Sequence, residues 1–105
     1  MERLERLQNL LLEDANNSFL HFAIAKEHEA QKNLNLALEH FIFIVDHEPN
    51  YLGVYYHLAQ LYIELKEIGL AKETLSKGIK LSQQIKDHHA ESELKGLLMN
   101  LLIEE

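Results

Sequence analysis

Apolar residues recur along most of this chain at intervals of three and four, the spacing that stacks them on one face of a helix. Residues 2–13 carry Leu4, Leu7 and Leu11 in one stripe, widened by Leu10, with Glu2, Arg3, Glu5, Arg6 and Glu13 around it. A helix this short is marginal alone, so its stripe must dock, either on the chain's own next helices or on a second copy. Asp14–Ser18 is polar, and Asn16, Asn17 and Ser18 can each cap a helix start. The pattern then predicts a helix over roughly 18–31 with Phe19, Phe22, Ile24, Ala25 and His28 among its faces. A turn follows at Lys32–Asn35, with Asn33 and Asn35 expected to supply local side-chain hydrogen bonds and Leu34 to plug the junction. The next helix, roughly 35–48, is apolar on most sides through Leu36, Ala37, Leu38, Phe41, Ile42, Ile44 and Val45, as a helix buried between neighbours would be. Pro49, the single proline, cannot extend it, having no N–H and a ring that clashes with the preceding turn.

Helices are predicted again at 51–65 and 68–85, joined by a turn at Lys66–Gly69. Val54, Tyr55, Leu58, Ala59, Tyr62 and Ile63 recur at helical spacing in the first of them, and Ala59 is small enough for a neighbouring helix to come close. Gly78 sits inside the second at a cost in helix propensity. Asp87 is the expected N-cap of a last helix over roughly 88–103, whose core stripe is Ala90, Leu94, Leu97, Leu98 and Leu101. Met99, Leu102 and Ile103 fall outside that stripe.

A shift of thirty-four residues superimposes the middle of the chain on itself. Ile24 falls on Leu58, Ala25 on Ala59, Leu34 on Ile68, Leu36 on Leu70, Ala37 on Ala71, Glu39 on Glu73, Phe41 on Leu75 and Val45 on Ile79. This period and its small-and-large alternation resemble the tetratricopeptide repeat, a helix-turn-helix unit. Tyr55, Leu58, Ala59 and Tyr62 match the first helix of a unit, Ala71 and Leu75 the second; in the earlier copy Ile24, Ala25, Ala37, Phe41 and the closing Pro49 match. The departures are His21 and His28 where aromatics are usual, Ile44 where alanine is usual and Gln83 where proline is usual. The resemblance covers residues 18–85. It implies an all-α fold of antiparallel helix-turn-helix repeats, an α-solenoid fragment. The organisation expected is an N-terminal amphipathic helix (1–14), two units (18–51 and 52–85) and a C-terminal capping helix (86–105), with Gly78 where helices cross closely. Repeat arrays need their last open face covered.

Composition narrows the function. The chain has 105 residues, one domain's worth, with 47% hydrophobic content, enough to fold. Without cysteine there is no disulfide, thiolate metal site or thiol nucleophile. The apolar run Leu10–Leu12 is too short for a signal-peptide core, and nothing approaches the ~20 apolar residues of a membrane span. A soluble, cytoplasmic protein is expected. A net charge of −7 argues against nucleic acid or an anionic membrane as partner. The seven histidines offset much of that charge near pH 6, where solubility should worsen.

Candidate chemistry is thin. His21 and His28, and His40 and His47, are each two turns apart on a helix, too far to share a metal, and no HExxH occurs. His21 and His28 are expected at semi-buried repeat positions and the other histidines in solvent. Glu27, Glu29, Glu64, Glu67, Glu91, Glu93, Glu104 and Glu105 read as solvated helix faces paired with Lys26, Lys66, Lys72 and Lys95. There is no glycine-rich phosphate loop or nucleophile elbow, and Ser76 and Ser82 have no base in a fixed relation. No enzyme, metal or cofactor is expected.

A protein or peptide partner is expected instead. The resemblance places Phe19, Phe22, Lys26 and Glu29 of the first copy, and Gly53, Tyr56, Gln60 and Ile63 of the second, along a concave groove with His57 at its edge. Exposed aromatics with a few polar groups suit a peptide or a helix; the competing reading is that Phe19, Phe22 and Tyr56 are covered by residues 2–13 or by a second subunit. Some members of the family clamp a chaperone's terminal carboxylate with cationic residues and asparagine. Here Phe22, Lys26 and His57 hold those positions, so no clamp is expected. The alternative function is structural. Two units are fewer than the three or so that stable arrays need, and the apolar surplus at Leu98, Met99, Leu102 and Ile103 would build a homodimer or larger homo-oligomer.

Overall fold

The computed structural model describes residues 2–104, and among them it contains six helices and no strand. The chain divides into two compact units, Met1–Tyr51 and Leu52–Glu105.

The first unit holds α1 (Glu2–Glu13), α2 (Ser18–Ala30) and α3 (Leu34–His47). Asn17 caps α2, its side-chain oxygen accepting the Leu20 N–H at 3.0 Å. One side of α2 takes α1: Leu7 is buried in a cluster with Leu20, Ala23 and Ile24, and Leu4 and Leu11 pack against it half-buried. The N-terminal stripe therefore docks on the chain's own first pair. Burying a leucine is worth about 1.5–3 kcal/mol, which holds a helix too short to persist alone. Leu10 and Leu12 stay exposed. Another side of α2 packs on α3, where Ala37, Phe41 and Ile44 are fully buried.

The second unit holds α4 (Gly53–Glu64), α5 (Ile68–Gln84) and α6 (His88–Glu104). Asp87 Oδ1 accepts the Ala90 N–H at 3.0 Å and so starts α6. α5 packs against both α4 and α6. The helices come close at Gly78: a Cβ there would lie 2.8 Å from Tyr55 Cβ and 3.2 Å from Leu94 Cδ1. In α6, Leu94 and Leu101 are buried, while Ala90, Leu97 and Leu98 are half-buried. Met99, Leu102 and Ile103 are 57%, 50% and 73% exposed.

Burial follows the thirty-four-residue period. Ala25 and Ala59, Ala37 and Ala71, and Phe41 and Leu75 are all fully buried, and Leu36 and Leu70 are both exposed. The turns repeat as well. Lys32 and Lys66, at φ 64° and 65°, end α2 and α4 in the left-handed region, and Lys86 at 61° ends α5. In each turn two backbone N–H groups bond back onto the last carbonyls: Asn33 to His28 at 2.8 Å with Lys32 to Glu29, Glu67 to Tyr62 at 2.8 Å with Lys66 to Ile63, and Asp87 to Ser82 at 2.9 Å with Lys86 to Gln83. These are Schellman closures, which satisfy carbonyls a helix end leaves unpaired. They correct one expectation. Asn33 stands at the N-cap of α3 and closes the preceding turn through its backbone N–H, and its side chain makes no cap hydrogen bond.

Candidate functional site

In the second unit a cleft of about 500 Å³ opens beside the start of α4. Leu52, Gly53, Tyr56 and His57 line it at the α4 end. The opposite wall is Asp87, Ala90, Glu93 and Leu94, spaced along the first two turns of α6. Packing beneath explains the opening. Gly78 lets α5 lie against Tyr55 on one helix and Leu94 on the other, so α4 and α6 both rest on α5 beside the cleft. Tyr55 turns inward and burial raises its phenol pKa. Tyr56, the next residue, turns to the cleft, half-buried, its ring edge-on to His57 at 6.1 Å. Glu93 Oε1 lies 3.6 Å from His89 Nε2. No lysine or arginine is among the residues lining the cleft.

Three of the second-copy residues expected at a groove, Gly53, Tyr56 and His57, thus share one cleft, and Gln60 and Ile63 lie further along α4, outside its lining. The α6 wall was missed. Its positional signal is in the helix starts: α2, α4 and α6 begin at residues 18, 53 and 88. α6 thus occupies the place of a third first helix, although Ser92 and Glu93 stand thirty-four residues beyond Leu58 and Ala59.

In the first unit, Phe19 is 67% exposed, so α1 does not cover it. Phe22 is half-buried, its ring edge-on to Phe41 at 5.6 Å and 6.0 Å from Tyr51. Lys26 Nζ pairs with Glu29 Oε1 at 3.2 Å.

The histidines are arranged in a way that spacing along one helix could not reveal. His21 and His28 are buried on α2, and His40 on α3 is half-buried against them rather than solvated. His21 Nε2 donates to the Ala15 carbonyl at 2.8 Å. The other ring nitrogen of neutral His21 must then accept, and His40 Nδ1 donates to it at 2.9 Å. Phe43 stacks on His21 at 3.9 Å and on His47 at 3.8 Å. His28 stacks near His40 at 5.8 Å, and its Nδ1 has no hydrogen-bond partner among the described residues. Burial first, then the neighbouring His21 and His28, bring the His40 pKa down to about 4. No group of three histidine, aspartate or glutamate side chains could hold a metal ion among the described residues. The carboxylates pair along helix surfaces: Glu91 accepts from Lys95 at 2.7 Å and from Gln83 at 3.0 Å, bonds that lower its pKa.

Comparison with known proteins agrees with this architecture. A family model described as Tetratricopeptide repeat matches residues 28–98. The crystal structure of a tetratricopeptide repeat domain protein from Salinibacter ruber is 31% identical, with a TM-score of 0.80 over 85% of this chain and 99% of that one. The TPR2B domain of yeast Sti1, in its complex with pHsp70, superimposes with a TM-score of 0.87 over 97% of this chain and 82% of that one, at 15% identity, a likeness of fold. Among curated proteins, Transcription factor tau subunit sfc4 of Schizosaccharomyces pombe is 38% identical over 55 residues, which are 51% of this chain and 6% of that protein's length. With its thirty-four-residue burial pattern, its repeated turn closures and these matches, the chain belongs to the tetratricopeptide repeat family.

Proposed function

We propose that the chain is a non-catalytic interaction module that docks a peptide or helical segment in the cleft between α4 and α6. The cleft itself carries the reading: it joins an open concave volume, an apolar residue in its α6 wall at Leu94, a half-buried aromatic at Tyr56 and a glycine, Gly53, where a ligand backbone can come close. Pockets of this size with a few convergent polar groups are the usual seats of ligands. The yeast neighbour engages pHsp70, and protein recognition is the general role of this fold. Selection of a displayed random-peptide library on the immobilised chain tests the proposal. Peptides so recovered should bind the Tyr56→Ala variant about tenfold or more weakly, as expected for loss of a central aromatic contact, while its thermal melt stays within a few degrees of the parent. A variant that loses binding only because it unfolds would make Tyr56 part of the core and sink the groove.

A second reading has its own observation. Met99, Leu102 and Ile103 expose a run of apolar surface on α6, more than a solvated helix needs. In that reading α6 joins copies of the chain and the cleft is incidental. Leu98→Asp would then dissociate an assembly seen by light scattering and leave selected peptides bound as before.

A further inference from the structure

The geometry points to a partner segment of definite charge: the α4–α6 cleft takes a basic side chain, arginine or lysine, next to an apolar one. This rests on the docking proposal above and specifies the partner's chemistry. Both charged residues of the lining, Asp87 and Glu93, are acidic. Glu93 is exposed at the rim, one residue before the buried Leu94. Asp87 spends one oxygen on capping α6 but keeps its charge at the end where the wall begins. The other titratable side chains of the lining are Tyr56 and His57, and no lysine or arginine is among them. An arginine or lysine stem can lie along Leu52, Ala90 and the Tyr56 ring while its head reaches the carboxylates, the division of labour that long basic side chains favour. An acidic segment would bring its carboxylates against two others with no cation in the lining to answer them. Like charges so placed exclude the wrong partner as much as opposite charges attract the right one.

The test uses the whole chain, labelled for amide NMR, titrated with short capped peptides of alanine and leucine that carry a central arginine, glutamine or glutamate. The arginine peptide should shift the amides of Tyr56, Ala90 and Glu93 and bind about tenfold tighter than the glutamate peptide, with the difference shrinking in high salt as screening requires. Glu93→Gln, with Asp87→Asn to keep a capping side chain, should remove most of that preference and leave the glutamine peptide's affinity unchanged. Equal binding of the arginine and glutamate peptides at the cleft would overturn the charge assignment and leave the docking site standing. Failure of every peptide to move the cleft amides would overturn both.

Discussion

Replacing Gly78 by alanine sets two known effects against each other. In a helix interior the change is worth up to about 1 kcal/mol in favour of alanine. Here the new methyl would sit 2.8 Å from Tyr55 Cβ and 3.2 Å from Tyr55 Cγ. Tyr55 Cβ is fixed to the α4 backbone and cannot swing aside as the Leu94 methyl can, so α5 or α4 must move. Overpacking of this kind costs about 1–3 kcal/mol, which leaves Gly78→Ala about 1 kcal/mol less stable than the parent. Gly96, also inside a helix, provides the control, because a Cβ there meets nothing within 4 Å. Gly96→Ala should gain about 0.5–1 kcal/mol. The same substitution at two helical glycines should therefore move stability in opposite directions, with about 2 kcal/mol between the variants. Urea unfolding followed by circular dichroism resolves that gap, as do thermal melts, at several degrees per kcal/mol for a domain this size. If the two variants prove equally stable, α4 and α5 do not meet at Gly78 and the packing beneath the cleft is wrong.

Acid should weaken the first unit through His40. Its folded pKa, about 4 against 6.5, means the unfolded chain takes up a proton first. The contribution is whole above pH 6.5 and is lost as pH falls from about 6.5 to about 4; discounted for the half-exposed ring, it amounts to about 1–2 kcal/mol. His40→Asn, which places an amide donor near Nδ1 and does not titrate, should flatten that part of a stability-versus-pH curve, and an unchanged curve refutes the assignment. Lys66→Gly should stabilise by about 0.5–1 kcal/mol, since glycine relieves the positive φ while loosening the unfolded chain; a lower melting temperature would contradict the turn geometry. A peptide ending in EEVD should not bind tightly, because Lys26 is a single cation already engaged with Glu29. Tight binding that Lys26→Ala abolishes, measured by calorimetry, would restore the clamp.

Much of the fold was legible because its signals are local. Pro49, Asn17 and Asp87 mark ends and starts, and the observed helices begin and end within about two residues of the expected ones. The thirty-four-residue phase locates the small residues, and the resemblance puts Gly78 at a close crossing, where it lies against Tyr55 and Leu94. What stayed hidden depends on residues far apart in sequence. His40 meets His21 across two helices, and no spacing within either helix encodes that contact. The α6 wall of the cleft was obscured because Asp87, Ala90 and Glu93 follow the positional rhythm of a first helix without its residue pattern. The turn ends were equally silent, since lysine is not a residue whose type announces a left-handed backbone.

Those three lysines have a further consequence. Trypsin cuts after lysine, and Lys32, Lys66 and Lys86 are exposed at the joints between helices, yet each joint is tied down by paired backbone hydrogen bonds that a protease must first undo. Digestion under native conditions therefore times the fraying of each joint separately. The fragment that appears first names the seam that gives way most readily.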